Sequence, residues 1–82
     1  MNSMVKLKNI KKNNNIIECD ILPEDSKEFG HVSIEIDSKN LKEYKLPAGY
    51  EWCRKHVSHV QNTLLDFAKS DNIPKEKLIM WI

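Results

Sequence analysis

The chain predicts an α+β fold: an antiparallel three- to four-stranded meander, one amphipathic helix packed on one face, and a C-terminal strand joining the sheet, in the order β-β-β-β-α-β. Three observations predict it. Apolar and polar residues alternate with period two through the first half, the period changes to 3.6 after Pro47, and the chain closes on a short apolar run. With 82 residues it suits one domain around a single core, which buries only about 60 to 65% of the surface its unfolded form exposes. Leftover apolar surface makes self-association or a protein partner the natural way to cover it.

A first strand is expected over 4–11, where Val5, Leu7 and Asn9 alternate with Lys6 and Lys8. Asn13, Asn14 and Asn15 form the turn, since asparagine tolerates positive φ and bonds its own backbone. A second strand, 16–22, places Ile17, Cys19 and Ile21 on one face and Glu18 and Asp20 on the other; Pro23 ends it. Glu24 to Glu28 reads as a solvated, acidic connection. The third strand, 30–37, sets Val32, Ile34 and Ile36 against His31, Ser33, Glu35 and Asp37. After the turn residues Asp37 to Asn40, a fourth strand over 41–46 has Tyr44 and Leu46 on one side and Lys42 and Lys45 exposed. These connections are too short for parallel crossovers, so the pairing is antiparallel.

From Pro47 a helix is expected over 49–70. At about 100° per residue, Cys53, Val57, Val60, Leu64, Phe67 and Ala68 fall within one apolar arc, while Glu51, Lys55, Ser58, Asn62 and Lys69 lie opposite. Ser70, Asp71, Asn72 and Pro74 stop it. The tail 77–82, Lys-Leu-Ile-Met-Trp-Ile, is apolar on both alternating faces, so it reads as a strand buried on both sides or with one side on a partner. One helix covers one face. The other, bearing Lys6, Glu18, Asp20, His31, Ser33 and Glu35, should be solvated.

Charge excludes little but weighs against some partners. Thirteen basic against twelve acidic residues leave +1, which creates no global field toward nucleic acid or anionic lipid. Arg54 is the single arginine, so the guanidinium forks favoured for phosphate and guanine are missing. Residues 1–12 lack the continuous apolar stretch of a secretory leader, and no run approaches the roughly 20 apolar residues of a membrane span. A cytoplasmic protein with two reduced, buried thiols is expected. The heavy use of Lys, Asn and Ile suits an AT-rich coding sequence from a bacterium or phage.

No catalytic constellation is expected, and no cofactor, small-molecule substrate or metal is implied. Cys19, His31, Cys53 and His56 are the right types for zinc, but no Cys-x2-Cys pair is present, both cysteines occupy apolar positions, and His31 faces away from Cys19. Cys53 precedes His56 by nearly a turn, yet a thiol in the seam is desolvated, which raises its pKa and works against a nucleophile. His31, Ser33 and Glu35 in a row on one strand face look like any solvated antiparallel face. The remaining feature is Trp52, His56, His59 and Thr63, spaced four, three and four along one side of the helix beside its apolar seam. An indole beside imidazoles is interface composition. Together with Trp81 and Ile82 it marks the expected interaction surface of a non-catalytic, homodimeric module. Two alternatives stand beside it: a nucleic-acid-associated protein using Lys6, Lys8, Lys11 and Lys12 on the first hairpin, and a zinc-stabilised module.

Overall fold

The structure, a computed structural model, describes residues 3–70 and 72–81. Its strands are β1 (Ser3–Asn13), β2 (Ile16–Pro23), β3 (Gly30–Glu35), β4 (Asn40–Lys45) and β5 (Glu76–Trp81), with the helix α1 (Arg54–Ala68) between β4 and β5. They form one antiparallel sheet in the order β4-β3-β2-β1-β5. The first four strands are the expected meander. The chain then crosses the sheet through α1 and adds β5 beside β1, the C-terminal strand the sequence predicts. Among the described residues no helix is long and apolar enough to cross a membrane. Ile82 lies outside the described residues, as do Met1, Asn2 and Asp71.

The core lies between α1 and one sheet face. Val5, Leu7, Ile17, Cys19, Ile21, Val32 and Ile34 from the strands meet Val57, Val60 and Leu64 from the helix, all buried. Phe67 and Ala68 complete the seam as partly buried residues, while Lys55, Ser58, Asn62 and Lys69 are exposed. The period-2 and period-3.6 patterns thus sort inward from outward correctly over most of their length.

In β1 the alternation breaks. Lys8 pairs with Asp20 but Lys11 pairs with Glu18, so β1 carries one extra residue, which is a bulge. Asn9, at φ +55°, is its left-handed residue, and its side-chain amide donates to Asp20 Oδ2 at 2.8 Å. The expected inward Asn9 is therefore exposed and Ile10 is buried instead, its N–H donating to the Lys75 carbonyl at 3.1 Å. A β-carbon in this conformation costs about 1 to 2 kcal/mol unless an asparagine-type side chain offsets it. Asn9→Ala is expected to lose about 1.5 kcal/mol and Asn9→Gly clearly less; urea denaturation of the pair checks this, and equal losses would contradict it.

Most element boundaries shift from expectation, Pro23 lying within β2 opposite Val5 instead of beyond it, and three of the shifts have identifiable reasons. β3 ends at Glu35 because Asn15 captures the next two residues: its carbonyl accepts the Ile36 N–H at 2.8 Å and its side-chain oxygen the Asp37 N–H at 2.9 Å. α1 begins at Arg54 rather than near residue 49. Two turns come first, with Tyr50 N–H on the Pro47 carbonyl and Cys53 N–H on the Tyr50 carbonyl, both 3.0 Å. Gly49 at φ +87° lets the chain make the first of them. The helix closes at Ala68 with two tighter bonds, Lys69 N–H to the Asp66 carbonyl and Ser70 N–H to the Phe67 carbonyl. β4 is an edge strand, mostly exposed, and Tyr44 sits at 42% exposure rather than in the core.

Candidate interaction surface

One corner of the molecule collects the aromatic residues. Trp52 precedes α1 instead of lying on it, so the four-residue stripe is not a helix face throughout. The turn nevertheless brings its indole to His56, with ring centroids 5.7 Å apart, edge to face. Trp81, from the end of β5, meets His56 edge-on at 4.7 Å and stacks on His59 at 4.0 Å. Trp52, His56, His59 and Trp81 are therefore brought together; Thr63 is half-buried further along α1, and Ile82 lies outside the described residues.

Exposure divides them sharply. Trp52 is 63% exposed, yet fixed by its Nε1–H donating to the Gly49 carbonyl at 3.2 Å. His56 is 4% exposed, so it is no wet rim. Its Nε2 lies 3.3 Å from Glu24 Oε1, but off the line of a hydrogen bond, and neither ring nitrogen has a hydrogen-bond partner. The two flanking indoles hold the ring where its nitrogens are shut off from water. An unsatisfied buried polar group costs about 1 to 3 kcal/mol. His56→Phe, which keeps the ring contacts and removes the orphaned nitrogens, is expected to raise stability by about 1 kcal/mol near neutral pH; a lower urea midpoint would contradict this.

Glu24 is the residue that sequence reasoning missed. It reads as part of a solvated connection, but it takes φ +50° and exchanges two bonds with the start of β1: its N–H donates to the Met4 carbonyl and its Oε2 accepts the Met4 N–H, both at 3.0 Å. Next to it, Asp25 Oδ1 accepts the Tyr50 hydroxyl at 2.7 Å, which pushes the Tyr50 pKa up. That bond ties the segment carrying Trp52 to the β2–β3 connection. No local spacing signals these contacts, because each joins residues far apart in the chain.

The thiols offer no nucleophile. Cys19 and Cys53 are free and buried. Burial, with Asp20 and Glu18 adding, pushes the Cys19 thiol up to about 12; burial and then Glu24 push Cys53 up to about 11. Cys53 also leaves both His56 nitrogens unpartnered, so no thiol–imidazole pair forms. The four zinc-type residues do not converge: Cys19 points into the core while His31 lies on the opposite sheet face. Among the described residues no three His, Cys, Asp or Glu side chains are placed to hold one ion.

On that open face His31 sits between two carboxylates, Nε2 3.2 Å from Glu18 and Nδ1 3.0 Å from Asp20. The Asn9 amide, and then His31, hold the Asp20 carboxyl below its ordinary range. Ser33, expected in solvent, is buried at 4% exposure, set between Glu18 and Glu43 on the neighbouring strands. Of the hairpin lysines, Lys8 stands opposite Asp20 and Glu76 and Lys11 opposite Glu18, whereas Lys6 stands opposite Leu22 and Leu78 and Lys12 opposite Ile17.

β5 has one packed face and one bare one. Ile79 and Trp81 are half-buried against the core, whereas Leu78 is 45% and Met80 58% exposed on the open side. The strand is thus not buried on both faces. Comparison with protein-family models, curated proteins and solved structures finds no match to this chain.

Proposed function

We propose that this chain is a non-catalytic, cytosolic protein-interaction module that self-associates. The observation that carries the reading is the placement of its exposed large apolar side chains. Among the described residues Phe29, Tyr44, Trp52, Leu78 and Met80 are the exposed large apolar side chains; Leu78 and Met80 lie together on the edge strand β5, and Trp52, at 63% exposure, stands at the aromatic corner. Tryptophan and methionine are enriched at protein contacts, and neighbouring exposed apolar side chains on an unpaired edge strand favour a contact there. Trp52 is held by its bond to Gly49 and its edge contact with His56, so little side-chain freedom remains to be lost on binding.

The chemistry supports contact over catalysis. Both thiols are buried and protonated at neutral pH, and His56, beside the Glu24 carboxylate, is closed to substrate by the rings around it. Sedimentation velocity across about 1 to 200 μM tests the reading, since a self-associating protomer shifts with concentration. A monomer–dimer shift is expected; a strict monomer throughout overturns self-association.

A further inference from the structure

We propose that two copies join edge to edge through β5, antiparallel about a two-fold axis at Ile79, so that the two five-stranded sheets become continuous. The inference rests on the self-association proposed above and specifies where and in what register it occurs.

β5 and β4 are the two edges of the sheet, and among the described residues neither has a strand beyond it. Exposed backbone donors and acceptors on an edge are a template for another strand. β4 carries Lys42, Glu43 and Lys45, all exposed, and charged edges resist pairing. β5 has Leu78, Ile79, Met80 and Trp81 in succession. The helix packs on β1, β2 and β3 and reaches β5 through the rings of His56 and His59 on Trp81. Ile79 and Trp81 are left half-covered, in the position a second copy would close.

The register follows from side-chain chemistry. Residues directly opposite in an antiparallel pair share a sheet face, so each β5 position pairs with one of the same parity. Centred on Ile79, Leu78 faces the partner's Met80, Lys77 faces the partner's Trp81, and Ile79 faces its own copy. Apolar then meets apolar, and the lysine meets an aromatic ring, a favourable contact. Centred on Lys77, the two lysines oppose each other. Centred on Leu78, Glu76 faces the partner's Met80 and Lys77 the partner's Ile79. Among these the Ile79 register alone both opposes no like charges and sets Lys77 against an aromatic ring; Glu76 there is set against position 82, outside the described residues.

The test uses charge exchange at the two exposed positions, read by sedimentation of the full chain with circular dichroism confirming the fold. Leu78→Glu with Met80→Glu places two like-charged pairs across the axis and is expected to weaken dimerisation at least about tenfold. Leu78→Glu with Met80→Lys places two opposite-charged pairs there and is expected to return it to within about threefold of the original. A dimer indifferent to the first pair, or one that the second fails to restore, overturns the β5 register while self-association stands; an original chain that stays monomeric overturns both. Oxidative cross-linking keeps the register testable if either charge variant misfolds. Leu78→Cys mixed with Met80→Cys is expected to form a disulfide-linked dimer, because opposed Cα atoms lie within about 4.5 to 5.5 Å. Each variant alone is expected to form little, and equal self-linking would overturn the register.

Discussion

Gly30→Ala is expected to destabilise the protein by about 3 kcal/mol, the upper end for overpacking, out of a total of about 4 to 12 kcal/mol for 82 residues. Gly30 opens β3 and is buried. A β-carbon there collides with the Lys45 carbonyl oxygen and lies 3.1 Å from Pro47 Cδ and 3.2 Å from Ile21 Cγ1. The first obstacle is backbone, and it belongs to the end of β4, which is pinned by its pairing with β3 and by Pro47 two residues on. Relief requires parting β3 from β4 or displacing the turn that leads to Trp52. The urea midpoint should fall steeply and the Trp52 indole should lose its fixed environment in near-ultraviolet circular dichroism. A loss below about 0.5 kcal/mol, the range of an ordinary surface substitution, would show that the β3–β4 edge is far more yielding than its packing implies.

Leu64→Ala is expected to cost about 3 kcal/mol by removing a fully buried side chain from the helix seam. Leu64 lies a turn beyond Val60 and belongs to the same buried core as Val5, Leu7, Ile17 and Ile34 of the sheet. A helix of 15 residues without a side-chain N-cap bond or an acidic first turn has little stability of its own, so it depends on this seam. Thr63→Ala, one position away and half-buried, is the control and should change stability by under about 1 kcal/mol. Comparable losses for both, measured by urea denaturation, would mean that α1 is not oriented as described.

The fold was legible where burial follows a local period. Ile17, Cys19 and Ile21, then Val32 and Ile34, then Val57, Val60 and Leu64 could be assigned inward from spacing alone, because the pleat and the helical turn sort them before any tertiary contact forms. What escaped was set by contacts between distant residues. Nothing near Asn9 announces a bulge; it is stabilised by Asp20 on the neighbouring strand. Nothing near Glu24 tells that its carboxylate will hold the Met4 N–H and face His56. The aromatic corner was half visible: the spacing of His56 and His59 put them on one side of the helix, and Trp81 was placed beside them only by the register of β5. Trp52 was assigned to the helix because Gly49 and the two turns before Arg54 leave no mark on the 3.6 period.

The contact surface proposed along β5 is tested most directly by amide chemical shifts of the isotope-labelled chain across a dilution series. Shifts that move with concentration are expected on Lys77 to Trp81, with the Trp81 indole following and β4 unchanged. A spectrum that does not move over the range, or one whose changes fall on β4 or around His31, would contradict the assignment.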